Sequence, residues 1–215
     1  MSDQEEQEHV QYQQSYFDRH CDIFRQPIPE DIDERTRLIV KAAYLKPSGH
    51  ILDVGTGMGV LIKHFLEQGI LPGSIIGCDL SSEMLKEAAK RYPEATFWQG
   101  DFKNFPTEFH KFEAIFFNAC FGNIFDQDLA IEKAFSLLKP RGAIVISHPL
   151  GNKFVSELKA QDPKLVLTLM PTQEDLQEWA RLGMEVETFV DDTDFYLAIL
   201  RKFPAKTETT TDSSA

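Results

Sequence analysis

The sequence predicts an α/β fold: a doubly wound, mostly parallel seven-stranded sheet with an antiparallel C-terminal strand and helices on both faces. Three observations predict it. From Ile51 to His148, short apolar runs with polar tips alternate with segments of helical periodicity, and right-handed crossovers of that kind place helices on both faces of a parallel sheet. The first run, Ile51-Leu52-Asp53-Val54, leads directly into Gly55-Thr56-Gly57-Met58-Gly59 and then into Val60, Leu61, Ile62, Phe65 and Leu66 at helical spacing, which reads as strand, tight turn and helix start. Near the end, Glu185–Val190 and Phe195–Arg201 flank Asp191-Asp192-Thr193-Asp194, a hairpin that sends the last strand in antiparallel.

The elements follow in order. Residues 1–9 are polar and acidic and are expected to be disordered. A single domain spans residues 10–202, beginning with a helical cap over 10–45: an aromatic segment from Tyr12 to Phe24, a link broken at Pro27 and Pro29, and a helix from about Asp31 to Leu45. After the glycine turn and its helix, Gly69 is a stop. Ser74–Asp79 reads as a second strand, and Ser81 can cap a helix with Met84, Leu85, Ala88, Ala89 and Tyr92 inward. Ala95–Gln99 is a third strand and Ala114–Asn118 a fourth. A helix capped near Asp126 or Asp128 precedes a fifth strand, Ala143–His148, and Thr172 can cap a helix through Trp179 and Leu182. Residues 151–171 form a variable segment, and 203–215 a polar tail expected to be disordered.

Composition narrows the partners. A chain of 215 residues with 42% apolar content can bury a core without staples. The formal net charge of −12 and the absence of any basic run argue against nucleic acid, whose non-specific affinity comes from clustered Lys and Arg. Cys21, Cys78 and Cys120 are odd in number and widely spaced, which suits a reducing cytoplasm and neither a disulfide nor a zinc framework. No run is long enough to span a membrane, and no metal site is expected.

In an open parallel sheet, ligands bind beyond the carboxyl ends of the strands. Those ends carry Asp53 with Gly55, Thr56, Gly57 and Gly59, then Asp79, then Gly100-Asp101-Phe102, then Asn118, then Ser147-His148. Asp79 is 20 residues beyond Gly59, where a carboxylate can accept both hydroxyls of a ribose or can simply cap the next helix. The glycine spacing is GxGxG, with Val60 where a dinucleotide fingerprint has its third glycine, which disfavours a dinucleotide oxidoreductase.

With Leu52-Asp53-Val54-Gly55-Thr56-Gly57-Met58-Gly59, Gly77-Cys78-Asp79, Ser81–Leu85, Gly100-Asp101 and Leu137-Leu138-Lys139-Pro140-Arg141-Gly142 in this order, the chain resembles the class I S-adenosylmethionine-dependent methyltransferases over about residues 35–202. The resemblance implies S-adenosyl-L-methionine as cofactor. It implies that the glycine turn packs against the methionine and ribose portion, that Asp53 orients the amino group, and that Asp79 holds the ribose hydroxyls with Leu80 beside the adenine. It further implies Asp101 on the adenine amino group, Phe102 along the ring and the Asn118 backbone at the methionine end. Asp101 can alternatively be a turn-forming Asp.

Methyl transfer needs alignment and exclusion of water, and a base only where the acceptor must lose a proton. His148 is the first candidate, His20 the second and His110 a distant third, each against a purely structural role. Asn118 is followed by Ala119-Cys120-Phe121-Gly122-Asn123, unlike the Asn-Pro-Pro-aromatic run of enzymes that methylate base amines. A small-molecule methyl acceptor is therefore expected, with a protein methyltransferase or a non-catalytic cofactor-binding protein as alternatives. Its pocket would draw on Tyr12–Phe24 and residues 151–171, where Tyr16 and Phe17 either line the pocket or pack the helix.

Overall fold

The computed structural model describes residues 3–108 and 111–204. Helices α1 (Asp3–His20) and α2 (Glu30–Ala42) precede the alternating body: β1 (Ile51–Val54), α3 (Ile62–Glu67), β2 (Ile75–Asp79), α4 (Ser82–Arg91), β3 (Thr96–Gln99), β4 (Phe112–Asn118), α5 (Gln127–Leu137) and β5 (Leu138–His148). Then come α6 (Gly151–Gln161), α7 (Gln173–Ala180), β6 (Met184–Asp192) and β7 (Phe195–Lys202). The seven strands lie in the order β3-β2-β1-β4-β5-β7-β6. β1 to β5 pair in parallel, and β7 runs antiparallel between β5 and β6, as the hairpin requires.

Two apolar layers sandwich the sheet because successive strand residues point to opposite faces. On one face Leu52, Val54, Ile115, Phe117, Ile144 and Ile146 pack with Ile131 and Ala134 of α5 and Leu176 and Trp179 of α7. On the other, Ile51, Ala114, Phe116 and Val145 pack with Ile39 and Val40 of α2 and Ile62 and Phe65 of α3. Full burial of each large side chain contributes about 1.5–3 kcal/mol, so both helical layers are held firmly to the sheet. Met84 and Leu85, expected on the inward face of their helix, are in the core.

Polar side chains set the helix ends. Asp126 caps α5 by accepting the Leu129 amide at 3.0 Å, while Asp128 instead accepts the Trp179 indole N–H at 2.7 Å. Thr172 and Asp175 form a reciprocal capping box on α7.

Two expectations about the periphery change. Residues 3–9 are helical within α1 rather than a tail. Glu6 pairs with Lys103 at 2.7 Å and the His9 ring bonds the Asn123 carbonyl at 2.7 Å, partners that a local reading of an acidic stretch does not reveal. Residues 151–171 are built into the core rather than laid over it: Val155, Leu165, Val166 and Met170 are buried, and the Leu167 and Thr168 amides both donate to the Gly122 carbonyl. The proposed tail beyond Pro204 lies outside the described residues, and no described helix is long and apolar enough to cross a membrane.

Candidate active site

Strand order reverses between β1 and β4, so the crevice at their carboxyl ends is where this architecture receives ligands. The glycine turn occupies it. Gly55, Gly57 and Gly59 have φ of 67°, 53° and 78°. A Cβ on Gly55 would stand 2.7 Å from that of Cys120, whereas at Gly57 nothing lies within 4 Å of the same position. The main chain at Gly57 is thus bare toward open space, a surface against which a ligand can lie. The Gly55 and Thr56 amides donate to the Cys78 carbonyl at 2.8 and 3.1 Å, which fixes the turn to β2.

Two carboxylates flank that surface. Asp53 is 2% exposed, and its Oδ2 accepts the Thr56 hydroxyl at 2.7 Å. Burial pushes its carboxyl up to about 7, against the Thr56 hydrogen bond and with some help from Asp79. Asp79 accepts the Gly57 amide on Oδ2 and the Ser81 amide on Oδ1, both at 2.8 Å; burial raises it, and these amides oppose the rise. Asp79 therefore does not itself cap α4 but braces the residue that does. Ser81 itself caps α4 through the Met84 amide, and Asp79 ties that cap to the glycine turn.

Asp53 carries a testable sign. An unfolded aspartate titrates near ~3.9 and the folded one at about 7, so between these values the folded protein holds a proton that the unfolded chain has released. The associated stability is complete below about pH 4 and is lost as pH rises through about 7. The melting temperature of the ligand-free protein should decline from about pH 5 to about pH 8 relative to Asp53→Asn. Parallel curves for the two proteins would return Asp53 to ordinary carboxylate behaviour.

The remaining expected residues are placed unequally. Asn118 Oδ1 accepts the Ser147 hydroxyl at 2.9 Å, and the Ala119 amide reaches the Ser147 carbonyl at 2.8 Å with Ala119 at φ 55°. The backbone turns sharply there, and the Cys120 thiol donates to the Val54 carbonyl at 3.1 Å. Asp101 accepts the Lys103 amide at 3.0 Å, the turn-forming arrangement. Phe102 is 6% exposed and packs edge-on against Phe117 at 5.4 Å, so most of its ring belongs to the core. Leu80 is half-buried, and its carbonyl accepts from Gln99.

The histidines separate by hydrogen bonding. His148 Nδ1 accepts the Leu150 amide at 3.2 Å, and its ring lies 5.4 Å from that of Phe154. Burial lowers it to about 4, so near neutral pH it is uncharged, carries its proton on Nε2 and can only donate from there. It also shares its strand phase with Ile144 and Ile146, the sheet face opposite Asp53, Asp79 and Asn118. His20 is the reverse case. Its Nδ1 meets the Tyr16 carbonyl at 2.7 Å; a carbonyl only accepts, so in the neutral ring Nδ1 holds the proton and Nε2 offers a lone pair. The ring stacks on Tyr16 at 4.2 Å. His110 lies outside the described residues.

The end of α1 reaches the site through Asp18, which accepts the Ser81 hydroxyl at 2.6 Å. His9, Tyr12, Tyr16 and His20 form one stripe along α1, from which the Tyr12 hydroxyl donates to Asp162 at 2.7 Å. Cys21, next in the chain, packs with Met58 of the glycine turn and Met84 of α4. Residue spacing alone would not have singled out Cys120, which reaches the Val54 carbonyl across 66 residues, or Asp18, which reaches Ser81 across 63.

A family model described as "Methyltransferase domain" matches residues 45–194, the stretch that contains the glycine turn and every rim residue from Asp53 to His148. The chain belongs to the class I S-adenosylmethionine-dependent methyltransferases. Its cofactor is S-adenosylmethionine. Among relatives, it is 30% identical over 117 residues to a demethylmenaquinone methyltransferase of Paenarthrobacter aurescens, covering 53% of this chain and 45% of that one. It is 36% identical over 103 residues to a demethylmenaquinone methyltransferase of Chlorobaculum tepidum, covering 46% of this chain and 40% of that one. The matches thus span about half the length of these curated relatives or less. The magnesium protoporphyrin IX methyltransferase of Synechocystis PCC 6803, solved with bound SAH, superposes with a TM-score of 0.68 at 16% identity over 90% of this chain and 98% of its own, a likeness of fold.

Proposed function

We propose that this methyltransferase acts on a small-molecule acceptor in the cytosol, with in-line transfer to an oxygen, nitrogen, sulfur or carbon atom. The observation that carries the reading is the bare main chain at Gly57, set between Asp53 and Asp79 where strand order reverses. The residues fit the cofactor: Asp79 and Asp53 supply acceptors for hydroxyl and amino groups, and a negative charge on Asp79 suits a sulfonium cation. Leu80, Asp101 and the exposed edge of Phe102 would border the adenine, and the Asn118 backbone the methionine end. When bound, S-adenosylmethionine supplies an electrophilic methyl group.

The chain's own residues do the rest. The row Tyr12, Tyr16 and Phe17, packed over the first apolar layer, keeps water from the acceptor side. His20 Nε2 accepts the proton that the acceptor heteroatom loses, and His148, first in line as a base on sequence grounds, instead offers Nε2–H to hold the acceptor. A small molecule is supported by the relatives, whose named acceptor is demethylmenaquinone, and by the net charge of −12, which repels nucleic acid. A cytosolic setting is supported by three cysteines that are all free.

Calorimetry with S-adenosylmethionine and its demethylated product, followed by a methyl-transfer screen over small phenols, amines and thiols, tests this. Binding with turnover on one acceptor class is expected. Binding without turnover on any of them, but with turnover on a protein substrate, would overturn the small-molecule assignment.

A further inference from the structure

One polar chain at the rim begins outside the region matched by the family model, on α1. Asp18 Oδ1 accepts the Ser81 hydroxyl at 2.6 Å and the Glu83 amide at 3.3 Å. The fully buried Ser81 accepts the Met84 amide on Oγ at 3.1 Å and gives its own amide to Asp79 Oδ1 at 2.8 Å, while Asp79 Oδ2 takes the Gly57 amide at 2.8 Å. A continuous run of hydrogen bonds therefore links α1 to α4, the tip of β2 and the glycine turn.

Capping does not require Asp18, since the Ser81 hydroxyl already serves an orphan N–H of α4. What Asp18 adds is direction. By taking the hydroxyl proton it fixes the Ser81 rotor, and a carboxylate at the positive end of α4 is favoured there. It does so although it lies close enough to Asp79 to raise that carboxyl, so a like charge is accepted for the link. Nearby contacts hold the same turn down: Cys21 packs on Met58 and Met84, and Arg25 pairs with Glu87 at 3.1 Å.

We propose that Asp18 is a positioning residue for the cofactor: through Ser81 it sets the orientation of Asp79 and holds the last turn of α1 across the rim. The proposal rests on S-adenosylmethionine occupying the Gly57–Asp79 surface. Removing Asp18 then weakens cofactor binding although Asp18 need not touch it.

The test is calorimetry on the full chain with S-adenosylhomocysteine, whose sulfur carries no charge, alongside S-adenosylmethionine, for Asp18→Ala, Asp18→Asn, Ser81→Ala and the Asp18→Ala/Ser81→Ala pair, with melting temperatures and amide exchange. Asp18→Ala is expected to raise both dissociation constants about tenfold, the scale of one lost hydrogen bond to a charged group, and Asp18→Asn, which keeps an acceptor oxygen, about threefold. Ser81→Ala should match Asp18→Ala, the double variant should lose little more than either single one, and the Glu83 amide should exchange faster. If Asp18→Ala fails to fold, Asp18→Asn and Ser81→Ala carry the test. A lowered melting temperature with unchanged dissociation constants would reduce Asp18 to a structural anchor. A loss seen only with S-adenosylmethionine would reduce it to long-range charge, and losses that multiply in the double variant would break the link; each overturns the proposal. No binding of either molecule by the unsubstituted protein would instead remove the cofactor from this surface, and the proposal with it.

Discussion

His20→Ala should lower the turnover number for methyl transfer by about 10²–10⁴-fold, the usual weight of a general base, while cofactor affinity stays close to that of the unsubstituted protein. The expectation comes from the tautomers. The Tyr16 carbonyl holds the His20 proton on Nδ1, which leaves Nε2 of the neutral ring as a lone-pair site, the base of the proposed transfer. The Leu150 amide occupies the corresponding lone pair of His148. Rescue by added imidazole separates base loss from general loosening of α1. A small base can take the place of the lost ring and recover part of the turnover, whereas it cannot restore a displaced helix. His148→Ala, which removes only a donor, should cost about tenfold. The opposite ranking of the two variants would make His148 the base and would require its hydrogen bond to Leu150 to break on acceptor binding.

Asp79→Ala should weaken cofactor binding by about 1–3 kcal/mol, the cost of removing a partner from desolvated polar groups. Its effect has two parts that Asp79→Asn distinguishes. Alanine also strands the Gly57 and Ser81 amides that Asp79 accepts, so stability falls with affinity and the glycine turn loses its brace. Asparagine keeps one acceptor oxygen and removes the charge, so it restores much of the stability and little of the affinity if two ribose hydroxyls are held by a carboxylate. Affinity equal to that of the unsubstituted protein in both variants would leave Asp79 as a brace for the turn alone.

The order of helices and strands was legible because its signals are local. Buried parallel strands read as apolar runs, helices as a repeat of 3.6, and the last strand's reversal as a four-residue acidic turn too short for a crossover. The glycine turn was legible for the same reason: positive φ at Gly55, Gly57 and Gly59 is a property of single residues. Strand tips then follow from the strands, so Asp53, Asp79 and Asn118 could be named in advance as rim residues.

Distant partners decide what neighbours along the chain do not show. Phe102, which the resemblance implies along a ligand ring, packs most of its ring against Phe117 and Phe105, since an aromatic side chain gains most where it loses most water. The acidic start of α1 looks like a tail until Lys103 and Asn123 supply its partners.

By itself, then, the sequence determined the fold class, the glycine turn and the ring of strand-tip residues, because periodicity and turn chemistry depend on neighbours along the chain. Only the tertiary structure decided that Asp18 reaches Ser81 across 63 residues, and that Tyr12 reaches Asp162 across 150. Those outcomes depend on the distance and angle between groups that packing alone brings together, and hydrogen-bond energy falls away within an ångström of the right geometry.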